Sequence, residues 1–152
     1  MKTIIIPTFG AEHLVKDLRL PKDFSVVVPM GNKEEKRFFP DGEIYARLPD
    51  EMMGFAERVV VMHSGMPDPN HSLVELELIL SILNKTKASV EIFFTYLPYC
   101  MQDKAHFKGE TNAAEDLVRK LTEFYKVKKI YILEAHFLGK DWVKNYPIVH
   151  VS

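Results

Sequence analysis

Short apolar runs rich in β-branched residues recur along the chain and predict six β-strands. Each run is continuous rather than alternating, which is typical of strands covered on both faces of a sheet. The runs occupy residues 3–6, 25–28, 58–62, 90–95, 129–133 and 148–151.

Helical spacing separates several of these runs. Four leucines share one predicted helix face: Leu73, Leu76, Leu80 and Leu83. Ser72 and Glu75 have the spacing of a capping box at the start of this helix. Asn112, with Glu115 three residues on, predicts the cap of a second helix, and a weaker pattern predicts a helix over about 11–18. The second helix is predicted to face inward through Ala113, Leu117, Leu121 and Phe124.

The alternation of strands and helices predicts an α/β fold with a mainly parallel sheet flanked by helices. Residues 36–48 do not follow this alternation of strands and helices, because they lack a helical period and carry the turn Pro40-Asp41-Gly42. This stretch predicts a β-hairpin that projects from the sheet as a flap. No repeat or linker divides the chain, so we expect one domain over residues 1–152.

Charge and composition limit the classes of partner that we expect the chain to bind. The chain has 20 Lys and Arg residues against 21 Asp and Glu residues, with no basic block, which argues against nucleic acid. A small molecule or another copy of the chain is expected instead. The one cysteine, Cys100, permits no intrachain disulfide, in keeping with a reducing cytoplasm. No apolar stretch has the length of a secretion signal or a membrane span, so a cytoplasmic location is expected.

Ligands of parallel sheets collect beyond the carboxyl ends of the strands, where three polar loops follow predicted strands here. His136 follows one strand and can bind a divalent ion or donate a hydrogen bond to a phosphate. Glu134, two residues earlier, would point to the same face as His136 if the strand continued that far. The alternative is a histidine that satisfies a local backbone group. Gln102, Asp103 and Lys104 lie in a long loop where Asp can hold magnesium and Lys can pair with phosphate, or where all three are simply solvated.

The predicted hairpin carries a third candidate group. Asp41 and Glu43 flank Gly42, which a tight turn and a charged edge strand already explain. Phe38 and Phe39 lie beside the turn, where an exposed ring can stack on a nucleobase, although phenylalanine is more often a core residue. The sequence has no zinc-ligand spacing, no Gly-rich phosphate loop and no nucleophile elbow.

Five blocks in order along the chain resemble the amino-terminal half of ribose-phosphate pyrophosphokinases (PRPP synthetases). The most specific block is Phe39-Pro40-Asp41-Gly42-Glu43 followed by Arg47-Leu48. The others are Asn70 with Leu73 and Glu75-Leu76, then Tyr96-Leu97-Pro98-Tyr99 with Gln102-Asp103-Lys104, then Phe107-Lys108-Gly109-Glu110, and finally Leu133-Glu134-Ala135-His136. The fourth block is similar to archaeal members, and together the blocks cover nearly the whole chain.

The resemblance implies a phosphoribosyltransferase-like domain and the magnesium-dependent transfer of pyrophosphate from ATP to ribose 5-phosphate, which yields AMP and PRPP. By the same resemblance, Phe39, Asp41 and Glu43 would recognise adenine, typically across the subunit interface of a homo-oligomer. The loop residues Gln102, Asp103 and Lys104 would lie along the nucleotide. His136 would be a catalytic residue near the metal and the triphosphate.

The sequence also departs from the family pattern. Met101 stands where the family has an arginine, Glu134 replaces an aspartate, and Phe137 replaces a small residue. The carboxyl-terminal domain, which binds ribose 5-phosphate in the family, has no counterpart in these residues. We therefore expect an ATP-handling half that is inactive alone and works with a second domain, supplied by a separate chain or by a longer parent. The alternative is a non-catalytic regulatory or assembly subunit, and a third interpretation is a structural domain that kept only the fold.

Overall fold

A computed structural model describes residues 1–152 and contains one six-stranded parallel sheet. The strand order is β2-β1-β3-β4-β5-β6, and every neighbouring pair is parallel. The strands are β1 Thr3–Pro7, β2 Phe24–Val26, β3 Arg58–Ser64, β4 Ser89–Tyr96, β5 Lys129–Leu133 and β6 Ile148–Val151. The predicted α/β class and all six predicted strands are confirmed.

Three α-helices flank the sheet: α1 Glu12–Val15, α2 Pro69–Leu83 and α3 Ala113–Arg119. Short 3-10 helices cover Phe9–Ala11, Asp50–Met53 and Asp141–Asn145, and α3 continues as a π-helical turn over Lys120–Phe124. The weak helical pattern over residues 11–18 corresponds to α1 alone, which has only four residues.

The two faces of the sheet are covered unequally. Alternate strand residues point to opposite faces, and one face packs into a cluster of 24 buried residues that includes the apolar sides of α2 and α3. The other face has a cluster of three buried residues, Ile5, Ala11 and Met62, next to α1. Phe93 and Tyr131 on this second face are only half-buried. The strands were predicted to be covered on both faces. The structure covers them well on the face that packs against α2 and α3 and only partly on the face next to α1.

The start of α2 differs from the predicted capping box. The helix begins at Pro69, and Asp68 caps it by accepting hydrogen bonds from the backbone N–H groups of Asn70 and His71 at 3.1 Å each. Ser72 lies inside the first turn and donates its hydroxyl to the Pro69 carbonyl at 2.9 Å. Proline has a preset φ at the first helical position and aspartate is a strong cap, so this pair outcompetes Ser72.

The predicted cap of α3 is confirmed, but its inward face is partly wrong. Asn112 accepts a hydrogen bond from the Glu115 N–H at 3.2 Å. Leu117 and Leu121 are buried as predicted, whereas Phe124 is 68% exposed. The π-helical turn inserts an additional residue per turn, which rotates Phe124 off the buried face.

The hairpin forms at the predicted place. Phe38 and Ile44 make an antiparallel bridge, and the Phe39 N–H donates to the Glu43 carbonyl at 2.8 Å. Gly42 has a φ of 92°, a conformation that glycine adopts without strain. The tip of the hairpin is exposed, while its base packs on the domain through Arg37 and Phe38.

Candidate functional site

The carboxyl edge of the sheet carries two separate cavities. The hairpin cavity, of about 150 Å³, lies at the ends of β1 and β3, where the strand order reverses direction. Such switch points are preferred ligand sites in open α/β sheets. The lining of the hairpin cavity comprises Phe9, Gly10, Arg37, Phe38, Ile44, Tyr45, Met66, Pro67, Asp68, His71, Ser72 and Glu75. The β4–β5 cavity, of about 250 Å³, lies two strands further along the same edge. Its lining comprises Thr95, Tyr96, Leu97, Cys100, Ile132, Leu133, Glu134, Ala135 and His136.

His136 and Glu134 both line the β4–β5 cavity. The strand ends at Leu133, and Glu134 turns the chain with a φ of 49°. A left-handed conformation is uncommon for a non-glycine residue and is concentrated at functional sites. The Glu134 N–H donates to the Val151 carbonyl at 3.0 Å, which holds this turn against β6. His136 is exposed at the mouth of the cavity.

Cys100 lies in the wall of the same cavity and is only 6% exposed. Burial raises the pKa of its thiol, and the nearby Asp103 carboxylate adds to the rise. The thiol is therefore neutral at physiological pH and serves as an apolar wall rather than as a nucleophile.

The loop of Gln102, Asp103 and Lys104 lies against the segment that follows β5. Trp142 donates its indole N–H to the Asp103 carbonyl at 3.2 Å, and Lys140 Nζ lies 3.8 Å from Asp103 Oδ2. The Ala114 N–H donates to the Gln102 carbonyl at 2.9 Å. The side chains of Gln102 and Lys104 are exposed. The structure thus brings this loop and the segment containing His136 to one region of the sheet edge.

Within one copy of the chain, the hairpin residues lie apart from the β4–β5 cavity. Asp41 and Glu43 line a shallow surface depression with His71 of α2, and the cavities lined by these residues and by His136 share no residue. Asp41 accepts a hydrogen bond from the Glu43 N–H at 3.0 Å. Phe39 is 40% exposed and packs edge-on against Tyr45, with ring centroids 6.0 Å apart. One copy of the chain therefore does not unite the hairpin with His136 in a single cavity.

A charged network at the hairpin base was not predicted from the sequence. Arg37 pairs with Glu12 of α1 and, at 2.8 Å, with Glu75 of α2, while the Phe9 N–H donates to Glu75 at 3.0 Å. Burial raises the pKa of the Glu75 carboxyl, and the Phe9 N–H and Arg37 oppose that rise. The sequence did contain a signal for this network. Glu75 is next to Leu76 on the buried helix face, and a buried carboxylate needs a partner for its charge.

His63 is a second residue that the sequence did not single out. It is 0% exposed at the end of β3, with Nδ1 2.9 Å from Thr8 Oγ1, whereas Nε2 has no hydrogen-bond partner. Burial lowers the pKa of His63 to about 3, so the ring is neutral. Its ring packs edge-on against Phe94 at 5.5 Å. The only sequence signal was a histidine directly after a buried apolar run.

The chain gathers no group of three or more His, Cys, Asp or Glu side chains that could hold a metal ion. Magnesium in nucleotide sites is bound through one or two side chains, with phosphates and water as the remaining ligands. Glu134 and His136 are two such side chains at the β4–β5 cavity, and Glu134 is the harder oxygen donor of the two. They do not form a complete site for a resident ion.

The parallel sheet with polar loops and cavities at its carboxyl edge defines a domain of the open α/β class. Residues 3–124 match the family model of the N-terminal domain of ribose phosphate pyrophosphokinase. The chain belongs to the ribose-phosphate pyrophosphokinase family, as its motifs indicated.

Archaeal relatives show the same affiliation. The chain is 39% identical over 92 residues to a ribose-phosphate pyrophosphokinase of Sulfolobus acidocaldarius, covering 58% of this chain and 31% of that protein. It is 31% identical over 116 residues to the enzyme of the same name from Sulfurisphaera tokodaii, covering 72% of this chain and 39% of that protein. The matched region thus spans well under half of these relatives.

A solved structure shows the same fold. The phosphoribosylpyrophosphate synthetase of Mycobacterium smegmatis superposes with a TM-score of 0.71 at 21% identity. The superposition covers 99% of this chain and 48% of that one. Separately, none of the helices combines the length and apolar character needed to cross a membrane.

Proposed function

We propose that this chain is the ATP-handling domain of a ribose-phosphate pyrophosphokinase and binds ATP with magnesium at the β4–β5 cavity. A second domain, on a separate chain or a longer parent, supplies ribose 5-phosphate. The observation that carries this proposal is the contact between the Asp103 loop and the segment after His136. That contact joins the loop of one family motif to the segment that follows another, which supports a shared site, although Gln102, Asp103 and Lys104 do not themselves line the cavity.

The proposed reaction breaks the bond between the α-phosphate oxygen and the β-phosphorus of ATP. The anomeric hydroxyl oxygen of ribose 5-phosphate attacks the β-phosphorus, its proton is lost to a base, and AMP leaves with the bridging oxygen. Catalysis of this kind depends on positioning and on charge stabilisation. In our proposal His136 contacts the metal and triphosphate, while Gln102, Asp103 and Lys104 lie along the nucleotide.

The adenine-binding role of Phe39, Asp41 and Glu43 requires a second copy of the chain. The surface depression lined by Asp41 and Glu43 shares no lining residue with the β4–β5 cavity, and Phe39 lines neither of the two. The exposed hairpin tip supports a homo-oligomer in which the hairpin of one copy covers the adenine bound to its neighbour.

Met101 supports a second candidate function. Its side chain is 69% exposed next to Gln102 and supplies no charge to a polyanionic nucleotide. A chain that keeps the family fold and binds nucleotide weakly would serve as a regulatory or assembly subunit without catalysis.

Calorimetric titration with ATP and magnesium, together with an assay of AMP release from ATP and ribose 5-phosphate, tests these proposals. We expect the isolated chain to bind but not to release AMP, and to release AMP when a polypeptide carrying the second domain is added. His136→Ala should weaken binding, and His13→Ala, an exposed histidine on α1, should not. AMP release by the isolated chain would contradict the need for a second domain. The absence of any binding heat would contradict the ATP-handling role, and weak binding without AMP release in the presence of the second domain would favour the assembly subunit.

A further inference from the structure

Trp142 and Lys140 contact the Asp103 loop from a distant part of the sequence. The indole N–H of Trp142 donates to the Asp103 carbonyl at 3.2 Å across 39 positions. Lys140 places its ammonium 3.8 Å from the Asp103 carboxylate. Both residues lie in the segment that begins at His136, so these contacts link the loop to the other half of the proposed nucleotide site.

The position of the Trp142 indole is set by the core. Its ring lies 4.8 Å from the ring of Phe137, which is fully buried, and 6.1 Å from that of Tyr146. Indole has a single hydrogen-bond donor. Because packing holds the ring, this donor is aimed at one point, and the Asp103 carbonyl occupies that point.

Lys140 acts on the Asp103 side chain by charge. At 3.8 Å its ammonium is beyond hydrogen-bond length from the carboxylate, and the two side chains are 34% and 18% exposed. A partly buried pair of opposite charges attracts more strongly than one on the open surface. The backbone and the side chain of Asp103 are thus both held from the same segment.

We propose that Trp142 and Lys140 are positioning residues of the nucleotide site, which hold the Asp103 loop so that Gln102 and Lys104 face the phosphates beside His136. This inference rests on the proposed function, because it assigns the loop to nucleotide binding. Neither residue touches the nucleotide in this scheme, since both act through Asp103.

Hydrogen–deuterium exchange of the loop, without nucleotide, tests whether the contact holds it. Trp142→Phe keeps an aromatic ring on Phe137 and removes only the N–H donor. Tyr146→Phe is the matched control, because it removes one donor to Glu115 at 3.3 Å and no contact with the loop. We expect the amides of residues 101–106 to exchange several-fold faster in Trp142→Phe and at the parent rate in Tyr146→Phe. Unchanged exchange in Trp142→Phe overturns the inference.

Calorimetric titration with ATP and magnesium then tests whether holding the Asp103 loop in place strengthens nucleotide binding. Trp142→Phe and Lys140→Ala should each weaken binding by about fivefold to tenfold, the effect of one hydrogen bond or a partly buried charge. Lys140→Arg should recover most of the affinity, which a purely structural role would not require. Lys144→Ala, which removes an exposed lysine of the same segment, should bind like the parent.

The outcomes separate the two proposals. A parent chain that binds and variants that bind equally well would overturn only the positioning role. A parent chain that shows no binding would overturn the proposed function and this inference with it, and the exchange data would still report whether Trp142 holds the loop. Thermal unfolding of each variant shows whether a loss of affinity reflects loss of the fold.

Discussion

At the scale of single residues, exposure to solvent sets the chemistry of His63 and of Met101. His63 is enclosed at the end of β3 with one ring nitrogen unpartnered, and Met101 is open to solvent beside the proposed nucleotide loop. Neither property follows from residue type, since each depends on how the surrounding chain packs. Each of the two residues supports a prediction.

His63 should make stability depend on pH below its ordinary pKa of 6.5. As the pH falls from about 6.5 to about 3, the unfolded state binds a proton at His63 and the native state does not. The free energy of unfolding therefore decreases as pH falls through this window, by at most about 1.4 kcal/mol per pH unit from this group.

Denaturant unfolding measured across this pH window checks that prediction. His63→Gln retains a polar partner for Thr8 and should reduce the slope, whereas His13→Gln, at an exposed position, should keep it. Identical slopes for His63→Gln and the parent chain would contradict the burial argument.

Met101→Arg should tighten binding of ATP with magnesium by roughly tenfold to a hundredfold, because an arginine adds charged hydrogen bonds to phosphate or base. Calorimetry measures the change. Phe124→Arg places the same charge at a similarly exposed position on another surface and should have little effect. Equal gains in both variants would mean that general attraction, not a local contact, is responsible.

At the scale of elements, the hairpin is held by a charged network rather than by a continuous ladder. Arg37 at its base joins α1 and α2 through Glu12 and Glu75. The sequence predicted the hairpin and its turn because Pro40-Asp41-Gly42 is a local signal. It did not predict the anchor, because Arg37 and Glu75 are 38 positions apart.

Arg37→Ala should destabilise the fold by about 3 kcal/mol, because it leaves the Glu75 carboxylate buried with its charge uncompensated. It should also increase amide exchange across residues 38–44. Lys36→Ala is the matched control, since Lys36 pairs with Glu34 on the open surface and should contribute less than about 1 kcal/mol. Equal stabilities of the two variants in denaturant unfolding would show that the network does not anchor the hairpin.

Local sequence patterns predicted which strands and helices form better than they predicted where each one begins and ends. The six strands were found because continuous β-branched runs are a strong local signal. The start of α2 was misplaced because two caps compete within four residues, and Asp68 with Pro69 prevailed over Ser72. The exposure of Phe124 depended on a π-helical turn, which the spacing of apolar residues does not encode.

At the scale of the whole molecule, the candidate groups are divided between two places on the sheet edge. Asp41 and Glu43 of the hairpin line one cavity of the chain, and His136 lines another. If the proposed nucleotide site is shared between copies, each site takes its hairpin from one copy and His136 from another. In a symmetric dimer this arrangement produces two equivalent sites.

A mixing experiment tests such sharing. Phe39→Ala and His136→Ala should each abolish most nucleotide binding alone. After subunit exchange, a random mixture of the two should recover about a quarter of the sites, since half of the dimers are mixed and each holds one intact site. Calorimetry measures the recovered binding, and a mixture that binds no better than its components would place each site within one chain.

The sequence alone determined the α/β class, the six strands, the hairpin turn and the family, because these depend on local spacing and on short motifs. The tertiary structure alone decided which motifs meet. It placed Asp103 against Trp142 and Lys140, paired Glu75 with Arg37, enclosed His63, and separated the hairpin from His136. These outcomes depend on strand order and on packing between residues far apart in the chain. A local sequence pattern predicts neither the strand order nor the packing.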